Sequence, residues 1–493
     1  MYFQYRCINA WAPLAWLAKC PKESGRIEVW HGNQIEVRPE WFCEAVWPGP
    51  FKSGDFDQTD LVAGTGGRIR DGRAIFVSSG NTIDRIVSFE TAGELFVSNS
   101  LPCLLAISGA CIDTSYPRYY EDFRTIIHGL NKYKSTLKTL NGDIHLSVFG
   151  YVCWDGHKSS SAFKSAVQRN FNAFELYFNF LRQSLADLAC NMGDQARQHN
   201  YRFLATASSG YDSPAIATLA REAGCEEAIC IDQDRFGAVE NGGKIASQIG
   251  LSPISISRDA WREPGGQEIL FLAADGTAEA VPLASARRQL AGRVLLTGYH
   301  GDKMWAKDTK DVSENIVRGD SSGLSLSEYR LWVGFIHCPI TFWGVRQIGD
   351  LKRLSNSEEM RPWDVQGDYS RPIPRRIVES AGVPRDAFGT SKRATAISSG
   401  EFLSLPTLTA YRAWVADNRI EWVKKGRLPP PLSDNYERIA GQILDVAVSA
   451  MLKTPVLWRL APDNSLDRPS RLRRHVFAWA AREVSQRYLR SVR

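Results

Sequence analysis

From Arg202 onward the sequence repeats one pattern: a short apolar run, a polar loop, then a stretch with helical spacing. The run Arg202–Ala207 is followed by a glycine-bearing loop and by helical spacing from about Ser213 to Glu222. Ala228–Ile231 leads to a helical stretch near Val239–Ile249, and a third run, Pro253–Ser257, follows. Strands alternating with helices predict an α/β fold in which a parallel sheet carries helices on both faces. A further run, Arg293–Thr297, opens into the loop Gly298–Asp302, and past about residue 320 the chain reads as mostly helical. The proline-rich break Leu428–Leu432 is expected to set the last helices apart from the body.

The preceding chain reads differently. Up to about residue 155, segments such as Arg85–Val87 and Glu94–Val97 are short, apolar and bounded by Gly, Asn and Ser, which is the punctuation of strands and turns. Between Ala162 and about Ala189, Phe171, Phe174, Phe178, Leu181 and Leu185 recur at helical spacing and predict one long helix. The expected division is a β-rich domain over 1–155, an α/β domain over 156–425 and a basic helical extension over 426–493. Three domains suit a chain of 493 residues at roughly 100–200 residues per domain.

Composition excludes little but narrows the setting. Hydrophobic residues make up 44% and charged residues 23%, ordinary values for a globular protein with real cores. The net charge of +6 makes nucleic acid unnecessary as a partner. Seven arginines and one glutamate lie between Arg471 and Arg493, so the rest of the chain is close to neutral. That tail is expected to form a helix with a solvated basic face, or to dock on an anionic membrane surface or an acidic partner. Ten cysteines without CxxC spacing or a histidine cluster argue against structural zinc and suit a reducing compartment. The apolar start has only Arg6 ahead of it and is broken by Pro13, and Leu331–Val345 is interrupted by His337 and Pro339. Neither reads as a signal peptide or a membrane span, and a cytoplasmic location is expected.

The loop Ser208-Ser209-Gly210-Tyr211-Asp212-Ser213-Pro214 lies where a strand ends and a helix begins. Small residues there let the backbone approach a phosphate, and a helix start supplies unpaired N–H groups. Ser208 and Ser213 add hydroxyls, Pro214 fits a first helical turn, and Asp212 suits a phosphate site only through a cation such as Mg²⁺. Read alone, the segment is equally a plain turn with a capping residue.

The same segment resembles the pyrophosphate loop SGGxDS of the asparagine synthetase-like family of ATP-pyrophosphatases. Ser208, Gly210, Asp212 and Ser213 match. Ser209 replaces the first glycine, a change that would cost energy if the position needed positive φ. Gly298-Tyr299-His300-Gly301-Asp302-Lys303 resembles the second signature, GxGxDE, with His300 where glycine is usual and Lys303 where glutamate is common. Glu359-Met360-Arg361-Pro362-Trp363-Asp364 resembles ExRxPFxD, shortened by two residues, and Lys392 lies where the family carries a lysine that stabilises charge.

The resemblance implies ATP and Mg²⁺ as cofactors. Ser208, Ser209, Gly210, Asp212, Ser213, Gly298 and Gly301 would bind ATP, and Asp212 and Asp302 would hold the metal. Lys392 and Glu359 would be catalytic, Glu359 as base toward the amine. The reaction implied is adenylation of a carboxylate, small molecule or peptide, followed by amide formation with an amine donor. The β-rich region resembles a decayed glutaminase domain, with Tyr2 where glutamine-dependent members expose a cysteine and with Cys7 as the first cysteine. Hydrolysis of glutamine is therefore not expected, a loss shared by β-lactam synthetases and lasso-peptide cyclases. The departures at Ser209, His300 and Lys303 keep a second reading open: a non-catalytic nucleotide- or partner-binding relative.

Overall fold

The computed structural model describes residues 1–234, 237–263, 265–365, 367, 369–388, 403–418 and 475–492. The Leu428–Leu432 break, Lys392 and the arginines at 471, 473, 474 and 493 lie outside these residues.

The first part is a sandwich of two sheets. One takes β1 (Tyr2–Cys7), β2 (Trp16–Pro21), β3 (Arg26–His31), β8 (Ile86–Glu90), β9 (Glu94–Ser98), β10 (Thr136–Thr139) and β11 (Gly142–Ser147), in the order β1-β3-β2-β9-β8-β11-β10. The other takes β4 (Glu36–Val37), β5 (Trp41–Val46), β6 (Ala63–Arg70), β7 (Arg73–Val77), β12 (Gly150–Trp154) and β13 (Ser159–Phe163), in the order β13-β12-β7-β6-β5-β4. Pairing is antiparallel except between β1 and β3. Alternate residues of both sheets meet between them: Trp16, Val29 and Val97 from one face Phe42, Phe76 and Val152 from the other. The sheet continues past residue 155 through β13.

The helix expected from Ala162 runs instead over Phe174–Met192. Before Phe171 the stretch carries Phe163, Ala166 and Val167 at helical spacing, but its backbone is used otherwise. Ser159–Phe163 pairs with β12, and Arg169 makes two 2.7 Å hydrogen bonds to Asp60, holding an extended link.

The second sheet system is parallel throughout, in the order β16-β15-β14-β17-β18: β14 (Arg202–Thr206), β15 (Glu227–Ile231), β16 (Ser252–Ile256), β17 (Arg293–Thr297) and β18 (Ile336–Pro339). Strand β18 falls in the region expected to be helical. It is four buried residues long, too short for alternation to show, and Pro339 is tolerated because β18 lies at the sheet edge. The chain builds outward from β14 through β15 to β16, then crosses to β17 on the other side of β14. The strand order therefore reverses between β14 and β17, and ligands of open α/β sheets bind at the carboxyl ends of such a pair.

Two features join the parts. Arg330, on the helix Leu326–Val333, reaches into the sandwich to Glu44 and Asp84. The helix Val476–Arg490 packs on the helices Leu101–Ser108 and Glu268–Asp275. Trp11 Nε1 donates to the Tyr488 carbonyl at 3.1 Å, and the Tyr488 hydroxyl donates to Glu328 at 2.9 Å. The helix expected with a solvated basic face leaves Arg482 and Arg490 exposed, and it buries Val476–Ala481, Val484 and Tyr488, whose alanines and aromatics complete a core shared by both parts. Among the described residues no helix is long and apolar enough to cross a membrane.

Candidate active site

Strand β14 ends at Thr206 and the next helix, Asp212–Glu222, starts with no side-chain cap. Between them, Ser208 Oγ lies 2.9 Å from Ser213 Oγ and accepts from Gly210 N at 3.3 Å. Ser209 N donates to the Glu240 carboxylate at 2.9 Å. No residue of this loop has positive φ, so Ser209 sits where glycine was expected without backbone strain.

The loop after β17 closes directly on Asp212. A Cβ on Gly298 would stand 2.8 Å from the Asp212 carbonyl carbon, and one on Gly301 would stand 2.6 Å from Asp212 Cγ. Only glycine lets the two loops touch this way. His300, between them, takes a left-handed conformation with φ 75° and is buried. Its ring stacks on Phe342, centroids 4.8 Å apart. Burial, helped by the nearby Arg318, pushes its pKa down to about 3, so the ring is a neutral wall. Asp302 follows on the short helix Gly301–Met304, and the backbone of Gly319 lies against both Asp302 and Lys303.

A third element completes the site. The helix Pro372–Ser380 packs against Asp212–Glu222, and Arg371 at its start forms a buried ion pair with the Asp212 carboxylate. The Arg371 guanidinium lies 4.7 Å from the Tyr369 ring. Burial draws the pKa of Arg371 down, but Asp212, Tyr369 and Asp302 together raise it above its ordinary value. One turn on, Arg375 bonds the Tyr211 hydroxyl and pairs with Glu379 at 3.0 Å. Two guanidinium groups thus grip the loop that follows β14.

Beside the second loop, burial and the neighbouring Asp320 raise the pKa of Glu279 to about 7. Ser322 donates to it at 3.4 Å, and burial alone raises Asp275 to about 6. Asp275 and Arg318 both act on Glu279.

The structure thus brings together Ser208, Ser209, Gly210, Asp212, Ser213, Gly298, Gly301 and Asp302. Glu359 is engaged elsewhere. It pairs with Arg376 at 2.8 Å and accepts from Phe174 N at 3.2 Å, in a 3₁₀ turn beyond the sheet. Lys392 lies outside the described residues. Arg371, Arg375 and Tyr369 carry no motif signal. One cue was available: a cation at a helix start opposes the helix dipole, so an arginine in Arg371-Pro372-Ile373-Pro374 needs an anion from elsewhere.

The carboxylates of Asp212 and Asp302 suit Mg²⁺, a hard cation that takes oxygen donors. A cation, the Arg371 guanidinium, already lies within the influence of both. Among the described residues no three His, Cys, Asp or Glu side chains converge to hold a metal. An ion here would therefore complete its coordination with phosphate oxygens and water. Against family models and against curated proteins, the sequence finds no match.

Proposed function

We propose that this chain is an ATP-dependent ligase that adenylates a carboxylate and transfers the acyl group to an amine. One observation carries the reading: at the point where the strand order of a parallel sheet reverses, two glycines of one loop close on the aspartate of a serine-rich loop at a helix start. That geometry fits a triphosphate better than any apolar ligand.

In this reading the N–H groups at the start of Asp212–Glu222, with Ser208, Ser209, Gly210 and Ser213, hold the β- and γ-phosphates. Asp212 and Asp302 hold Mg²⁺, which would neutralise charge on the leaving pyrophosphate. A substrate carboxylate oxygen bonds to the α-phosphorus, and the bond to the β-bridging oxygen breaks. The amine nitrogen then bonds to the acyl carbon, and AMP leaves with its oxygen. Lys392 is assigned to the charge that develops on the acyl oxygen. Glu359 is the candidate base, and it would have to leave Arg376 to reach the amine.

The sandwich is read as a degenerate glutaminase-like domain serving as scaffold. Its buried Glu44 and Asp84 are tied to Arg330, and Asn99 donates to Glu44. The purified chain is expected to release no glutamate from glutamine.

The pairing of Asp212 with Arg371 favours a second reading, a nucleotide-binding relative without turnover, since the metal-binding carboxylate is already neutralised. Exchange of labelled pyrophosphate into ATP, with a panel of carboxylic acids and peptides, separates the two. Exchange dependent on one carboxylate supports the ligase. Tight ATP binding with no exchange across the panel supports the relative.

A further inference from the structure

We infer that Arg371 is a phosphate-binding residue that occupies the metal position while the site is empty, and that it moves from Asp212 to the phosphates when a Mg²⁺-bound triphosphate or pyrophosphate enters. The inference rests on the nucleotide reading given above and adds a residue and an order of events to it.

Four observations carry it. The Arg371 side chain is 6% exposed and its partner is the loop aspartate, not a residue of its own helix. Asp302, the second candidate metal ligand, follows directly on Gly301, whose backbone touches the Asp212 carboxylate, so the guanidinium sits where both loops meet. The Tyr369 ring at 4.7 Å gives the planar guanidinium a face to slide along, so it can turn without losing all its support. The Tyr369 hydroxyl lies toward Gly210, placing the aromatic group and the arginine beside the loop that would hold phosphate.

Electrostatics fixes the order. Asp212 stands at a helix start and Asp302 follows the glycine whose backbone touches it, and the Arg371 guanidinium paired with Asp212 offsets part of that negative charge. A divalent ion arriving with phosphate brings two positive charges to the same oxygens. Arg371 is then a like charge to the metal, and the nearest anion is the phosphate chain, which a planar fork binds through two parallel hydrogen bonds. Metal without phosphate must compete with Arg371, whereas metal with phosphate gives Arg371 a new partner. The site should therefore bind free Mg²⁺ poorly and the metal–phosphate pair well.

The test uses the full chain and two readouts other than turnover: Mn²⁺ binding followed by electron paramagnetic resonance without nucleotide, and pyrophosphate binding by calorimetry with Mg²⁺. Arg371→Met is expected to tighten free Mn²⁺ binding and to weaken pyrophosphate binding by about tenfold or more, the size of one lost charge-assisted contact. A purely structural arginine would weaken both together. Arg371→Met with intact folding and unchanged pyrophosphate affinity, or with weaker Mn²⁺ binding, overturns the assignment. Should Arg371→Met fail to fold, Arg371→Lys keeps the charge and carries the same test. It is expected to bind pyrophosphate several-fold more weakly than the native protein, for want of the planar fork, and unchanged affinity overturns the proposal. If the native chain itself binds no pyrophosphate with Mg²⁺, the nucleotide reading fails and the role of Arg371 fails with it. Native binding that the variants do not alter removes Arg371 alone.

Discussion

Arg330 and Glu44 form a two-pronged pair, with hydrogen bonds of 2.7 and 3.0 Å, across the boundary between the parallel-sheet part and the sandwich. Both side chains are at most 1% exposed, and Asp84 takes the remaining guanidinium edge at 2.6 Å. Removing one member of such a group leaves buried charge uncompensated. Arg330→Ala is expected to cost about 3–5 kcal/mol. Thermal melts should show both parts losing structure together, and a variant that melts like the native protein would refute the coupling.

Asp212→Asn should abolish ATP turnover while the chain remains folded. The amide cannot replace a carboxylate toward Mg²⁺, and Arg371 loses its counter-charge, which costs on the order of 1–3 kcal/mol. Pyrophosphate release at the native rate by the purified variant would contradict the metal assignment.

Gly301→Ala tests the contact between the loops. The added methyl would stand 2.6 Å from Asp212 Cγ, so either Asp212 or the second loop must shift. ATP affinity should fall by about tenfold or more, the loss expected from one displaced charged contact. Ser209→Gly, at a position without positive φ, should change affinity by no more than about twofold, since no strain is relieved there. Calorimetry on the two variants checks the contrast.

His337 gives a pH signature. It bridges β17 and β18 through a 2.8 Å hydrogen bond to Thr297, and burial lowers its pKa to about 4. Asp84 favours its charged form, while Arg330 and Arg318 oppose it. A histidine depressed in the fold stays neutral there while the unfolded chain takes up a proton below about pH 6.5. Its contribution is whole above that value and is lost as pH falls toward 4, at up to about 1.4 kcal/mol per pH unit. The stability difference between the native protein and His337→Asn should shrink over that window, as followed by urea unfolding. A constant difference would mean that His337 does not titrate as argued.

Lys392→Ala should separate binding from chemistry. Mg²⁺ and the loops carry nucleotide binding, whereas amide formation needs positive charge at the acyl oxygen. One electrostatic donor of this kind is worth about 10²–10³ in rate. Single-turnover kinetics should show near-normal ATP binding and slow product formation. Loss of ATP binding with an unchanged chemical step would assign Lys392 to the nucleotide instead.

The parallel sheet was legible because βαβ units announce themselves through alternating run lengths, and Arg293–Thr297 begins and ends where expected. Strand β18 was not, because four buried residues carry no period. Likewise the linker 164–173 takes its extended form from Arg169 and Asp60, partners far apart in sequence. At the site, local motifs marked Asp212, Gly298 and Asp302. Arg371 is held by tertiary contacts alone, and a motif cannot show that its guanidinium faces an aspartate 159 residues away. The basic face of the last helix was legible, with Arg482 and Arg490 exposed, whereas its buried side had no visible partner until Trp11 and Glu328 came beside Tyr488.

That last helix also sets a schedule for synthesis. Trp11 and the helix Leu101–Ser108 leave the ribosome early, yet the surface they cover is supplied by residues 476–490. Until translation reaches Tyr488, an aromatic and aliphatic groove stays open to water and to other nascent chains. This protein should therefore depend on holding chaperones more than its sandwich alone would require, and chains released before residue 476 has been added should be sticky.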